Sequence, residues 1–446
     1  MRGTRLATNY LRTLYYLNML RRSAFWEEDR LLKFQEKKLR EIVSYAYNFV
    51  PFYHKKYESA GIKPDDIRRR EDLSKLPILT KDEIKNNLGE LTSREYNVEK
   101  LRRLSTSGST GKPTHLYVSQ AESEFRKAKH LRANVSCGQK PFDLWAVITA
   151  PHHFSEATKL QRVLAFYAPR PISVFQSVDW QISTLEKWRP DILDGYSSSL
   201  AILAKEARDR GVKSIKPRFI IGGAELIDNA SRRLVEESFS APFYDQYSSV
   251  ELERMSWQCR EQRGYHIDAD AMILQFLDKS GEEVSVGERG EVVCTSLFNV
   301  AMPLIRYAIG DVGVQSDESC ACGRTLPLMK VVEGRKDSLL LFPDGRVVTP
   351  RTFTIAMNEF KLYKYIDQFR LIQKKLDLFE VEIKITNDCS QANLVRDELL
   401  SYLRATLNTG ASMTWRVNIV EEIPLDRTGK LMAVVSQLGK RAENSQ

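Results

Sequence analysis

Between Thr106 and Pro113 the chain reads TSGSTGKP. Six of those eight residues are Gly, Ser or Thr, and Lys112 follows the second glycine. Such a stretch suits phosphate: glycines let backbone N–H groups turn inward, hydroxyls donate to oxygens, and a lysine adds a point charge. It is not the kinase-type loop G-x-x-x-x-G-K-[ST], because Thr106 stands five residues before Gly111 and Pro113 follows Lys112. A solvated turn has the same composition, so residue types alone leave both readings standing.

A second group is made of soft ligands. Cys259, His266, Cys320 and Cys322 give the set C-x6-H and C-x-C. Thiolates with an imidazole suit tetrahedral Zn²⁺, and four protein ligands imply a closed, structural site. The spacing is not that of a zinc finger, and C-x-C is tighter than the usual C-x2-C. Free thiols therefore stay open as the alternative. Cys137, Cys294 and Cys389 have no such grouping and read as packing residues. A third candidate is PHHF at 151–154, directly after a run that reads as a strand. Loops in that position bind ligands in α/β sheets, so His152, His153 and Phe154 are candidates for bordering a substrate. A polar loop with one buried aromatic is the other reading.

The motifs downstream, in their order, resemble those of the adenylate-forming (acyl-adenylate, ANL) superfamily. TSGSTGKP is similar to its phosphate loop, [ST]-[ST]-G-[ST]-T-G-x-P, so Thr106, Ser107, Gly108, Ser109, Thr110, Gly111 and Lys112 would hold the ATP phosphates. IGGAE (221–225) looks like the strand end whose backbone, at Gly223, Ala224 and Glu225, borders adenine. YSSVE (247–251) resembles Y-G-x-[ST]-E, with Tyr247 stacking on adenine and Glu251 holding Mg²⁺. RYAIGD (306–311) resembles the region whose aspartate, here Asp311, binds the ribose hydroxyls. GRKD (334–337) matches the hinge motif, with Arg335 touching nucleotide and Asp337 as pivot. PLDRTGK (424–430) resembles the last motif, whose lysine, here Lys430, catalyses adenylation.

The nearer resemblance is to the phenylacetate–CoA ligase-like branch, including relatives encoded with polysaccharide biosynthesis. It rests on LREIVSYAYNFVPFYHKKYESAGIKPDDI, LPILTKDEI and MPLIRYAIGDVG…CACGRTLP, and covers nearly the whole chain from about residue 33. Members of that branch carry a metal at a matching Cys/His/Cys/Cys set. Two positions depart from the superfamily pattern: Ser248 replaces the usual glycine, and Val250 lacks the hydroxyl found in many members.

The resemblance implies attack of a small-molecule carboxylic acid on the α-phosphate of ATP, giving acyl-AMP and pyrophosphate. Negative carboxylate must approach negative phosphate, so Mg²⁺ on Glu251, the 106–112 loop and Lys430 would supply positive charge. Rotation about Asp337 would then withdraw Lys430 and admit a thiol, commonly coenzyme A. Two alternatives are a different end reaction, in which the acyl group goes to a sugar amine or hydroxyl or AMP itself becomes the product's new group, and a non-catalytic binding protein of the same fold.

Elements must position these groups. Leu39, Ile42, Val43, Ala46 and Phe49 recur at helical spacing until Pro51 stops the run. From about residue 140 strands and helices alternate: 144–150, 171–175, 191–196 and 219–223 read as strands. Helices follow at SSSLAILAKEARDRG, with a Ser cap, and near 228–239. After about 265, AMILQFLDKSGEEV and GEVVCTSLF read as strands joined by a turn. A small α+β unit comes last: a Pro-Asp-Gly hairpin, strands near 367–374 and 378–386, a helix at about 391–407, and TWRVNIV as final strand. The expected fold is α/β. A large N-terminal domain, 1–333, holds mostly parallel, helix-covered sheets and a β subdomain, and a small mobile C-terminal α+β domain, 334–446, carries Lys430.

The chain has 446 residues and a net charge of 67 − 58 = +9. That balance suits anionic ligands such as ATP and CoA, and no basic-aromatic motif points to nucleic acid. No run of about 18 apolar residues is present, so no membrane span is expected. Six cysteines are no disulfide framework, and a cytoplasmic location is the default. Arg2, Arg5, Arg12, Arg21 and Arg22 all precede the first acid, Glu27. This basic segment reads as a helix packed on the body, with a membrane-surface helix or a transit peptide as alternatives.

Overall fold

The computed structural model describes residues 2–105, 114–151, 161, 165–335, 339–344, 347–348, 350–387, 389–407, 413–424 and 431–438. Its frame is a sheet of eleven strands. In chain order the strands of the large part are β1 (Arg102–Ser105), β2 (His115–Val118), β3 (Trp145–Thr149), β4 (Pro169–Ser173), β5 (Ile192–Tyr196), β6 (Phe219–Gly223), β7 (Phe243–Ser249), β8 (Glu253–Trp257), β9 (Tyr265–Ile267), β10 (Met272–Leu277), β11 (Arg289–Ser296), β12 (Tyr307–Ser316) and β13 (Leu328–Arg335). The sheet runs β10-β11-β12-β13-β9-β8-β7-β6-β5-β3-β4. β7, β6, β5, β3 and β4 are parallel, and every pairing from β7 outward to β10 is antiparallel. The parallel sheet and the β subdomain expected from sequence are thus one continuous sheet, joined at β7. Pro169 and Pro171 fall on β4, an edge, where a missing N–H does least harm.

Alternation along the parallel strands sends neighbours to opposite faces. Phe219 and Ile221 pack with Leu17, Leu20, Phe125 and Leu131, from helices α1 (Arg2–Ser23) and α5 (Gln120–Cys137). Ile220 packs the other way, with Leu185, Leu200, Leu203 and Phe239. Those come from α6 (Val178–Trp188), α7 (Ser197–Asp209) and α8 (Asn229–Phe239). The basic N-terminal helix is therefore packed on the body: Leu17 and Leu20 are buried, and Thr13 donates to Glu124 of α5. No described helix is long and apolar enough to cross a membrane.

The antiparallel part is covered by α2 (Glu28–Phe49) and α3 (Pro51–Ser59). Pro51 ends the first and opens the second, where its lost N–H costs nothing. The short helix α4 (Lys81–Asn86) follows, capped by the Thr80 side chain.

The C-terminal part has its own core, including Phe353, Leu371, Phe379, Leu399 and Trp415. A hairpin, β14 (Leu340–Leu341) with β15 (Val347–Val348), leads to α9 (Pro350–Glu359). A four-stranded sheet follows, ordered β18 (Thr414–Ile419), β17 (Leu378–Ile385), β16 (Ile366–Lys375), β19 (Val434–Ser436), with helix α10 (Ala392–Thr406). TWRVNIV is not the final strand: Val434–Ser436 follows and pairs parallel with β16. The expected Ser cap of α7 is also different. Its cap position is Tyr196, and the serines lie inside the first turn.

Candidate functional site

The carboxyl ends of β3, β5, β6 and β7 come to one edge, where α/β sheets bind ligands. The backbone N–H of Ala150, past β3, donates to the Tyr196 hydroxyl at the end of β5 over 3.4 Å. Gly223 closes β6 in register with Tyr196 on one side and Gln246 on the other. Close packing explains the paired glycines: a Cβ on Gly222 would lie 1.9 Å from Phe243 Cζ, and one on Gly223 would lie 2.8 Å from the Gln246 carbonyl. Ala224 turns the chain at φ 65°. Glu225 then accepts from the Ser198 N–H at 2.9 Å, a carboxylate on the first turn of α7.

Two contacts assemble the centre. Tyr247, on β7, donates its hydroxyl to Asp311 of β12 at 2.7 Å, and both are buried. Tyr307, also on β12, donates to Glu251 at 3.1 Å. The Lys81 ammonium lies 4.0 Å from the same carboxylate oxygen. Arg335 stands opposite Asp311 in the β12–β13 register, so the hinge motif begins beside the candidate ribose ligand. Residues 247, 251, 307 and 311 meet although β13, β9 and β8 stand between β12 and β7 in the sheet, and no local spacing encodes that.

Residues 74–79 are fastened to this strand. Leu79 donates to the Arg306 carbonyl at 2.9 Å, and Ala308 donates to Leu79 at 3.0 Å. The Arg306 guanidinium donates to the Ser74 carbonyl at 2.9 Å and to the Leu76 carbonyl. Lys81 follows at the head of α4 and so reaches Glu251.

Thr106, Ser107, Gly108, Ser109, Thr110, Gly111 and Lys112 lie outside the described residues, as do His152, His153, Phe154, Asp337 and Lys430. The flanks of the first stretch are described. β1 and β2 pair antiparallel with Ser105 opposite His115, so TSGSTGKP links two strands. A kinase-type loop links a strand to a helix.

Sequence reading missed Lys81, Tyr307, Arg126 and Lys129. The last two sit on α5, where Glu122, Glu124, Arg126, Lys129 and Arg132 are all buried. A signal existed: QAESEFRKAKHLRANVSC is too polar to bury one apolar stripe, yet it is a long helix.

The soft-ligand set is brought together. Ligand atoms of Cys259, His266, Cys320 and Cys322 all lie within 4.8 Å of one another. Cys259 and Cys320 sulfurs are 3.5 Å apart, and the Cys322 sulfur is 3.3 Å from His266 Nε2. Tetrahedral ligands at ordinary Zn–S and Zn–N lengths are separated by about 3.5–3.8 Å, so the cluster fits the ion. Burial pushes the Cys259 thiol up to about 12 and the His266 imidazole down to about 4. A neutral imidazole is the form that ligates. Burial also opposes ionisation of Cys322, but hydrogen bonds from Arg324 and Cys320 outweigh it and hold that thiol below its ordinary value. The cluster ties the turn after β8 to the β12–β13 connection. Thr325, just beyond, donates its N–H to Ala24 at 3.0 Å and its hydroxyl to Trp26, fixing the joint between α1 and α2.

Comparison with known proteins agrees with this architecture. A crystal structure of 2-hydroxyisobutyryl-CoA ligase in the postadenylation state, in complex with R3-HIB-AMP, matches at a TM-score of 0.75 and 21% identity, covering 92% of this chain and 91% of that one. Phenylacetate-coenzyme A ligase of Thermus thermophilus is 29% identical over 373 residues, covering 80% of this chain and 81% of the relative. Protein CapK of Staphylococcus aureus is 22% identical over 431 residues, covering 92% and 90%. Residues 340–437 match the family described as the CapK C-terminal domain. The chain has the fold of an adenylate-forming CoA ligase, and its sequence is similar to named ligases over most of its length. By sequence it is a homologue of the phenylacetate-coenzyme A ligases and of CapK, and its residues 340–437 match the CapK C-terminal domain.

Proposed function

We propose that the protein activates a carboxylic acid with ATP as an acyl-adenylate and passes the acyl group to coenzyme A. The observation that carries this is the meeting of Tyr247 with Asp311 and of Glu251 with Tyr307 at the carboxyl edge of the parallel strands. In this reading Tyr247 and the backbone at Gly223, Ala224 and Glu225 border adenine, and Asp311 takes the ribose hydroxyls.

The Glu251 carboxylate is a hard oxygen donor, only 6% exposed, and fits Mg²⁺, which is commonly held by one or two carboxylates together with substrate phosphates. Bound there, the ion would neutralise phosphate charge. Tyr307 orients that carboxylate, and Lys81 adds positive charge beside it. Residues 106–112 would hold the pyrophosphate portion, and Lys430 would stabilise charge at the α-phosphate as the acid oxygen attacks. His152, His153 and Phe154 are proposed to border the acid. A division into 1–333 and 334–446, with Asp337 as pivot, would let Lys430 leave after adenylation and coenzyme A enter. Cys259, His266, Cys320 and Cys322 would hold a structural Zn²⁺ that takes no part in the chemistry.

The match of residues 340–437 to the CapK C-terminal domain favours a second acceptor reading, in which the acyl group or AMP goes to a sugar. A panel of carboxylic acids with Mg²⁺ and ATP, scored by pyrophosphate release, tests the first half-reaction. Release with none of them, by folded protein, refutes adenylation. Thioester formation measured against AMP release, with coenzyme A and sugar acceptors in parallel, separates the two acceptors.

A further inference from the structure

We propose that Arg126 and Lys129 of α5 are positioning residues that clamp the turn bearing Glu251, and so set where its carboxylate stands. The inference rests on the adenylation reading for the role of Glu251.

The turn joins β7 to β8 through Val250, Glu251 and Leu252. All three of its carbonyls are taken by buried cations. Arg126 donates through Nη2 to the Val250 carbonyl at 2.6 Å and through Nη1 to the Glu251 carbonyl at 2.9 Å. Lys129 donates through Nζ to the Leu252 carbonyl at 2.9 Å. Arg126 is 8% exposed and Lys129 3%. Carbonyls of a hairpin turn ordinarily face water, which would serve them without fixing their direction.

The choice of donors matters. A guanidinium is a rigid planar fork, so two adjacent carbonyls held by it have their peptide planes fixed relative to each other. The plane between Val250 and Glu251 sets the direction of the Glu251 side chain. The left-handed conformation of Glu253, φ 62°, is the strained exit from the same turn. Its carboxylate returns to α5, 3.5 Å from Arg126 Nη2 and 3.4 Å from His130 Nδ1. The helix therefore grips both ends of the turn, while Tyr307 holds the carboxylate from the far side.

The test is calorimetric titration of ATP at graded Mg²⁺, using the full chain. The variants are Arg126→Lys, Arg126→Met and Lys129→Met, with Glu251→Gln as reference. Arg126→Met should raise the Mg²⁺ concentration for half-maximal tightening of ATP by about tenfold or more, the worth of one hydrogen bond to a charged group. Arg126→Lys keeps the charge and one donor and should recover part of that. Affinity for ATP without Mg²⁺ should stay at the wild-type value, which general loosening of the fold would not produce. Where Arg126→Met fails to fold, Arg126→Lys and Lys129→Met carry the test. Wild-type Mg²⁺ dependence in these folded variants, with the dependence lost in Glu251→Gln, overturns the clamp and leaves adenylation standing. If wild type itself shows no Mg²⁺-dependent ATP binding, the adenylation reading falls, and the clamp with it.

Discussion

Removing metal from the Cys259, His266, Cys320 and Cys322 cluster should lower stability by an amount the structure allows us to work out. A Zn²⁺ bridging Cys259 and Cys320 closes a loop of 61 residues. The chain entropy withheld from the unfolded state by such a closure is about 14 cal/mol/K, about 4 kcal/mol at room temperature. Unfolding entropy near 2.1 cal/mol/K per residue, over a unit of roughly 330 residues, is ~0.7 kcal/mol/K. The cross-link alone should therefore be worth ~6 °C in Tm. Chelation at neutral pH, followed by a calorimetric scan, measures the shift. Trp257 reports locally, since its ring lies 5.0 Å from that of His266. Its emission should change on chelation and recover with Zn²⁺. Co²⁺ in its place should give the absorption of a tetrahedral thiolate site. Less than about one-tenth equivalent of metal in protein prepared without chelator, with no change in Tm on chelation, would refute the reasoning, because the loop-closure argument needs the ion in the folded chain.

Three further outcomes are expected, the first from the proposed chemistry and the other two from described residues. Lys430→Ala should lower acid-dependent ATP–pyrophosphate exchange by about 100-fold or more, the scale of losing one transition-state donor, while supplied acyl-adenylate is still converted to thioester. Full exchange in that variant removes Lys430 from the chemistry. Gly222→Ala puts a methyl 1.9 Å from the fully buried Phe243 ring; denaturant melts should show a loss of about 1–3 kcal/mol, and Phe243→Leu in the same chain should restore part of it. Asp311→Asn should weaken ATP binding by about tenfold or more, the value of a hydrogen bond to a charged group, and unchanged affinity in calorimetry would move the ribose elsewhere.

Much of the fold was legible from local pattern. The strands at 144–150, 191–196 and 219–223 and the helix near 228–239 lie within a residue or two of where the periodicity put them. The C-terminal unit was as clear, apart from the helix Pro350–Glu359, which went unread, and Val434–Ser436, too short to carry a pattern of its own. The cap of α7 misled for a chemical reason. Serine is a common cap, but here Glu225, distant in sequence, supplies the carboxylate that meets the first turn.

The sequence by itself determined which chemistry was available. Carboxylates, hydroxyls, glycines and lysines stood in the order of an adenylation site, and soft ligands stood in a set of four. That follows from residue type, which no fold can change. Only the tertiary structure decided which groups meet. Tyr247 and Asp311 are 64 positions apart, Tyr307 and Glu251 are 56 apart, and they meet across three intervening strands of the sheet, which only the path of the folded chain brings about. Arg126 and Lys129 are the plainest case. On a bare helix they are solvated charges, and only burial against three carbonyls makes them a clamp, because a carbonyl taken out of water must find its donor from whatever packs against it.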